Sequence, residues 1–356
     1  MTNQLKRLIR SLPKAELHIH LEGTIRTETA IALAQKYSHL GLIDAVKKLK
    51  GIDTFTGIED FLAYYQLCMK LLRSADDFAL AVYEYGQAMF AQNILYSEVH
   101  ISVYQHLHLF QKGLNLSDIF NGLEKGRQKA HDDFGVCIQW IFGIPRRRHF
   151  NSDGIFNPEI AVTVLEYAVQ GKECGVIGIG LGGNEVNAPP EPFERVFKKA
   201  KEMGFKALPH AGETDGASSV WGALNELQAD RICHGVRAIE DEKLVRTLAE
   251  RKVPLDICPT SNLRINLYPS LREHPFSELE QAGVIVTINS DDPSIFGTTL
   301  CDEYLALAKE FDYSNKDLAR FARNSFEASF VPNRVKKTAL QKIVLWEKET
   351  HRKERK

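Results

Sequence analysis

Eight short apolar runs of strand type punctuate the chain, at 15–21, 94–103, 136–144, 176–181, 207–211, 231–234, 253–257 and 284–289. Helical patterning fills the gaps between them. Phe61, Leu62, Tyr65, Cys68, Met69 and Leu72 recur at three- and four-residue spacing, as do Ile160, Val164, Leu165, Tyr167 and Ala168, and again Leu244 and Leu248. Ser117, followed by Ile119, Phe120 and Leu123, predicts a capped helix start. Continuous Val/Ile-rich strands alternating with helices predict a parallel sheet covered by helices. Eight such units predict a (β/α)8 TIM barrel, an α/β fold whose active site lies at the C-terminal ends of the strands. The long insertion between the first and second runs is helical in pattern and predicts a cap over that mouth.

Composition narrows the class. The 356 residues carry 45 Lys+Arg against 46 Asp+Glu, a formal net charge of −1, with 44% hydrophobic and 26% charged residues. These are values of an ordinary globular protein, and the balanced charge argues against a general nucleic-acid or acidic-membrane binder. Cys68, Cys137, Cys174, Cys233, Cys258 and Cys301 are scattered with no CxxC pair, which predicts reduced thiols and a cytoplasmic setting. The opening MTNQLKRLIRSLPK has no apolar core of a secretory signal, and no window reaches the ~18 apolar residues of a membrane span. No repeat, low-complexity tract or Pro/Gly/Ser linker divides the chain, so 1–356 reads as a single domain. Charge runs at Arg146–His149 and 348–356 read as solvated surface.

The barrel reading demands that chemistry collect at strand ends, and it does. His18 and His20, spaced i, i+2 on the first strand, project from one face. The fifth strand ends in His210-Ala211-Gly212-Glu213, the sixth in His234-Gly235, and the eighth runs into Ser290-Asp291-Asp292-Pro293. Taken alone, any of these histidines reads as a hydrogen-bonded structural residue. Together with the carboxylates, nitrogen ligands converging on one mouth suit a borderline cation such as Zn²⁺. Asp291 and Asp292 side by side would repel each other in a buried mouth, and a divalent cation offsets that cost.

At these residues the chain resembles the adenosine deaminase family of the amidohydrolase superfamily, from about residue 13 to 310. The carrying segments are PKAELHIHLEGT (13–24), VIGIGLGGNE (176–185), HAGE (210–213), HG (234–235), CPTSN (258–262), HP (274–275) and SDDPSIF (290–296). The resemblance implies a (β/α)8 barrel holding one zinc ion per chain and hydrolytic loss of ammonia from a purine 6-amino group. It implies that His18, His20, His210 and Asp291 are zinc ligands, and that the metal activates water for attack at C6. Glu213 would protonate ring N1, for which a raised pKa is needed. His234 would steer the water, accept its proton and stabilise developing charge. Asp292 would hydrogen-bond N7, and the Gly183 N–H would reach N3. Binuclear branches of the superfamily need a carboxylated lysine on the fourth strand; 176–185 holds no lysine, so one metal is expected.

Departures from the family pattern concern the substrate. Glu22 stands where typical adenosine deaminases have an aspartate that meets the ribose 5′-hydroxyl. A glutamate there is usual in adenine deaminases, yet ISVYQH (101–106) and Ser294-Ile295-Phe296 do not resemble the adenine branch. His100 replaces a common arginine, and Gly180 and Asn184 replace common acidic residues. His106 and His108, expected in a loop, are candidates for contact with a ribose substituent. Arg146, Arg147 and Arg148 could meet a carboxylate or phosphate on an extended substrate. The expected activity is deamination of adenosine or deoxyadenosine, with a 5′-extended nucleoside such as 6-aminodeoxyfutalosine as the alternative and adenine a weaker one. A purine-nucleoside binding protein without turnover is the alternative of another class. The expected partner is a small purine nucleoside, with no nucleic acid or membrane; one sequence leaves the oligomeric state open.

Overall fold

The computed structural model describes residues 2–354 apart from 39–40, 42, 45–53 and 111–112. All eight apolar runs form strands: β1 (Lys14–His20), β2 (Ile94–Ile101), β3 (Cys137–Pro145), β4 (Val176–Gly182), β5 (Lys206–Ala211), β6 (Ile232–His234), β7 (Leu255–Ile257) and β8 (Val286–Ile288). They are parallel and lie in sequence order, β1 to β8. Nearly every strand residue is buried, and most of the runs are apolar on both faces; β1 instead alternates Ala15, Leu17 and Ile19 with Lys14, Glu16, His18 and His20. The last three strands are three residues long, shorter than their runs chiefly because each begins one or two residues later.

Closure between β8 and β1 uses side chains as well as backbone. A parallel bridge joins Ile19 to Asp291, and the His20 N–H donates to the Asp291 carbonyl at 2.9 Å. Asn289 Oδ1 accepts from the Leu17 and His18 N–H groups at 2.8 and 3.2 Å. Below the mouth, buried Arg231 on the approach to β6 donates to Asp256 Oδ2 (2.7 Å) and Glu98 Oε2 (2.6 Å), linking β2, β6 and β7. With the other carboxylate oxygens hydrogen-bonded to Thr287, Tyr96 and Phe330, every oxygen of the two carboxylates has a donor.

Between β1 and β2 the described residues include helices Thr27–Lys36, Ile58–Met69 and Ala75–Ala91; the rest of the expected cap, at 39–40, 42 and 45–53, lies outside the described residues. The helical patterns at 160–168 and 244–248 fall in helices Glu159–Gln170 and Glu242–Arg251; that at 61–72 falls in helix Ile58–Met69 as far as Met69, with Leu72 beyond its end. One local expectation fails. Helix Leu116–Phe134 is capped by Asn115, not Ser117: Asn115 and Asp118 form a reciprocal capping box, and Ser117 sits inside the helix. The amide of Asn115 accepts from the N3 backbone while Asp118 answers, a pairing that position 117 cannot make. Among the described residues, no helix is long and apolar enough to cross a membrane.

Candidate active site

β1 carries His18 and His20 to the mouth. His18 Nδ1 bonds the Asp256 carbonyl at 3.1 Å, so that nitrogen holds the proton and Nε2 presents its lone pair. That lone pair faces His210 Nε2 at 3.1 Å and Asp291 Oδ1 at 3.4 Å. His20 Nδ1 lies 2.9 Å from Asp291 Oδ1 and 3.1 Å from Asp292 Oδ2. Despite the opposing effect of burial, these carboxylates hold the His20 pKa well above its ordinary value. Burial and the neighbouring imidazoles push His210 well below its own. Against burial, His18, His20 and His234 hold Asp291 well below the usual carboxylate range, while burial and Asp291 raise Asp292 to about 7.

The donor set fits a cation. Buried Asp291 Oδ1 and His210 Nδ1 have no hydrogen-bond partner, and two imidazole Nε2 atoms approach to 3.1 Å with nothing fixed between them. Ligand atoms of His18, His20 and Asp291 lie within 4.8 Å of one another, as do those of His18, His210 and Cys233. The sequence names Cys233 and Cys258 as reduced thiols but gives them no place beside this cluster. Burial raises both thiols well above their ordinary pKa, keeping them protonated beneath the imidazoles.

Backbone geometry aims the remaining groups. His234 and Asp291, at the ends of β6 and β8, both adopt the left-handed conformation with φ of +63°. For residues with a Cβ this costs of order 1–3 kcal/mol, and the surrounding ladders must hold it. His234 Nε2 then faces Glu213 Oε1 at 3.3 Å and Asp291 Oδ2 at 3.8 Å. Burial first, then Asp291 and Glu185, raises the Glu213 pKa well above the usual range, the direction an acid at neutral pH requires.

Several residues that position the site carry no role in the sequence reading. Glu185 accepts the N–H groups of Gly212 (2.9 Å), Glu213 (2.8 Å) and Thr214 (2.9 Å), with the Ser219 hydroxyl as a fourth donor. It therefore fixes the HAGE turn. Ser261 donates to Asp291 Oδ2 at 2.6 Å. Gly23 is the close-approach position: a Cβ there would lie 1.9 Å from Asp292 Oδ1. The motifs GNE, CPTSN and HLEGT contained these residues, but their partners lie tens to hundreds of residues away.

The imidazoles and carboxylates floor a cavity of about 520 Å³. Ile58, Phe61, Leu62 and Met69 of the expected cap line it, as do Arg147, Arg148 and Asn184, whose side chain donates to Glu59 of the cap helix at 2.7 Å. Glu213, His234, Asp291, Asp292 and Gly183 all line it; Gly183 has φ +99°, which disfavours any residue with a Cβ.

Three expectations change. Glu22 is fully buried behind the wall, where its carboxylate accepts from His106 Nε2 (2.8 Å), Tyr65 OH (2.9 Å) and the Ser102 N–H (3.0 Å). His106 is thus not a loop contact: it sits in helix Val103–His108, buried, and pairs with Glu22, whereas exposed His108 meets Tyr167 OH at 2.8 Å. Arg146 is not solvated surface either. Its buried guanidinium donates to the carbonyls of Ala188 and His210, leaving only Arg147 and Arg148 exposed. Gly180 faces His100, which fills the space a side chain would take: a Cβ at 180 would lie 3.1 Å from His100 Nδ1.

A closed run of eight parallel strands with an imidazole–carboxylate cluster at its C-terminal mouth defines a metal-dependent barrel hydrolase. The chain belongs to the adenosine deaminase family, whose model matches residues 13–346. It is similar to the aminodeoxyfutalosine deaminase of Streptomyces avermitilis, with 36% identity over 92% of this chain and 89% of that one. Among solved structures, the adenine deaminase of Arthrobacter aurescens superposes with a TM-score of 0.85 at 31% identity, covering 95% of this chain and 99% of that one. An amidohydrolase from Burkholderia ambifaria with bound zinc gives 0.84 at 25% identity, covering 97% and 94%. The chain is accordingly a hydrolase of C–N bonds in cyclic amidines.

Proposed function

We propose that the protein is a zinc-dependent deaminase of a 6-aminopurine nucleoside carrying an extended 5′ group, of the 6-aminodeoxyfutalosine type, rather than of adenosine itself. The observation that carries this reading is the size and lining of the cavity. At about 520 Å³ it is of the size that takes a drug-sized ligand, and its lining adds apolar Ile58, Phe61, Leu62 and Met69 and the exposed Arg147 and Arg148 to the cluster. Glu22, the residue placed to meet a free 5′-hydroxyl, is withdrawn and saturated by three donors. The relative named aminodeoxyfutalosine deaminase supports the same choice.

His18, His20, His210 and Asp291 would hold one zinc ion. When bound, zinc supplies Lewis-acid activation of a water nucleophile at neutral pH. The chain's own groups do the rest. Glu213, kept protonated by its surroundings, donates to ring N1 and makes C6 electrophilic. Asp292, whose pKa burial and Asp291 raise to about 7, donates its proton to the N7 lone pair. The Gly183 N–H orients N3, and His234 faces the attacking oxygen. Arg147 and Arg148 attract an anionic end of the 5′ group.

Ammonia release from adenine, adenosine, deoxyadenosine, methylthioadenosine and 6-aminodeoxyfutalosine tests the reading. The expected order has 6-aminodeoxyfutalosine first by at least about tenfold in kcat/KM. A faster rate on adenine, for which relatives of the Arthrobacter aurescens type are named, or on adenosine would overturn it.

A further inference from the structure

The motifs CPTSN and HP lie outside the cavity wall, yet Asn262 and His274 are buried to 0% and 2% exposure and touch one another. Their hydrogen bonds form a chain with only one consistent polarity. It begins at a group whose role is fixed, the backbone N–H of Phe276, which donates to His274 Nδ1 at 3.1 Å. Burial also pushes the His274 pKa down to about 3, so the ring is neutral and its single proton sits on Nε2. His274 Nε2–H then donates to Asn262 Oδ1 at 3.1 Å. With its carbonyl so engaged, the Asn262 amide turns Nδ2 toward His234, whose Nδ1 lies 3.2 Å away and must accept.

From this chain we infer that Asn262 and His274 are positioning residues that hold His234 in the tautomer with its proton on Nε2, the nitrogen facing the cavity. A second observation agrees. Carboxyl oxygens face His234 Nε2, Glu213 Oε1 at 3.3 Å and Asp291 Oδ2 at 3.8 Å; the Asp291 carboxylate only accepts, and protonated Glu213 keeps a carbonyl oxygen that accepts. The inference deepens the deaminase reading and rests on it for its chemical meaning. His234 meets the attacking oxygen as a hydrogen-bond donor that fixes its position and stabilises charge developing on it. It does not enter the reaction as a bare nitrogen ready to take the proton of the water, as its position in the HG motif had implied. The helix Pro259–Arg264 thereby serves the site twice: Ser261 orients Asp291 and Asn262 orients His234.

The test reads the tautomer directly. In the zinc-loaded enzyme labelled with ¹⁵N-histidine, and assigned by loss of signals in His234→Gln, the His234 ring should show a proton bonded to Nε2 and a bare Nδ1. Asn262→Asp replaces a donor by a group that only accepts, so Nδ1 should gain a proton. With the tautomer wrong, kcat should fall by about 10²-fold or more while KM and zinc content hold. His274→Gln can still donate to Asn262 and should keep both the Nε2 proton and kcat within about threefold, whereas His274→Leu should lose them. A wild-type ring protonated on Nδ1, or an Asn262→Asp ring with Nδ1 still bare, overturns the inference. Because the spectrum needs no substrate, a failure of the deaminase reading on every nucleoside would leave this outcome separately decided.

Discussion

Glu185 offers the sharpest test of how the fold holds its acid. Its carboxylate is 1% exposed and takes three backbone N–H groups and one hydroxyl, all from the turn that presents Glu213 or the helix that follows it. Truncation to Ala leaves three amides without an acceptor. A buried unsatisfied N–H costs about 1–3 kcal/mol, so three set a floor of about 3 kcal/mol, and water entering the space relieves the upper part of the range. At about 1.3 °C per kcal/mol for a chain of 356 residues, the melting temperature should fall by about 4 °C or more. Glu185→Gln should cost less. Its oxygen can keep the Glu213 and Thr214 amides, its NH₂ can donate to the Ser219 hydroxyl, and only the Gly212 amide is stranded. Differential scanning fluorimetry of the three proteins reads the ranking, and ammonia release reads its consequence for Glu213. Both variants should retain the metal, while the Ala variant loses about 10²-fold in kcat through misplacement of the acid. A melting shift below about 2 °C for Glu185→Ala, or Gln as harmful as Ala, would refute the account.

Other consequences are independent of that turn. Burial raises the Glu303 pKa from the ordinary 4.5 to about 7, so the folded state favours the protonated form. That contribution is complete below about pH 4.5 and is lost as pH rises through 7. Glu303→Gln keeps partners at Thr260 and Thr298, so it should gain on the wild type by about 2–3 kcal/mol between pH 5 and 9 in denaturant titrations; a pH-independent gap would count against it. Gly23→Ala drives a Cβ into the Asp292 carboxylate and should cut kcat/KM by at least about 10²-fold with little loss of metal; near-normal turnover would mean that Asp292 is not held as described. Chelation should lower the melting temperature and one equivalent of zinc should restore it, whereas His20→Ala should abolish the response; a stoichiometry near two, by atomic emission, contradicts the one-metal reading.

Much of the architecture is legible because the physics is local. Strands buried on both faces are mostly apolar, so eight runs announce eight strands, and i, i+2 spacing places His18 and His20 on one face before any partner is known. Asn115 shows the limit of local reading: serine and asparagine both cap helices, and only the reciprocal bond to Asp118 decides which one does. Positioning groups are less legible still. Glu185 serves a turn 27–29 residues away and Ser261 a carboxylate 30 residues on, separations along the chain that no periodicity encodes. Glu22 and His106 each read as substrate contacts, and what neutralises them is the other, 84 residues off. Composition could not reveal this either, since a net charge of −1 averages over carboxylates in opposite circumstances.

Those circumstances themselves separate scaffold from chemistry. Glu16 accepts from Ser290 and Tyr85, Glu22 from three donors, Glu185 from four, and Asp256 from Arg231 and Thr287. These buried carboxylates have their lone pairs occupied and can offer little to a ligand. Asp291 and Asp292 are as deeply buried, yet each keeps an oxygen without a hydrogen bond. Among the described residues, nine side chains carry such an orphaned buried atom, and five of them, Gln105, Arg146, His210, Asp291 and Asp292, line the one cavity floored by the histidines. An unpaired buried acceptor costs several kcal/mol unless something else satisfies it, so the clustering locates where a cation and a substrate supply the missing partners. By the same measure Glu22 belongs to the scaffold although it sits two residues from His20. The count of donors on a carboxylate, rather than its proximity to the site, decides whether it is free to act.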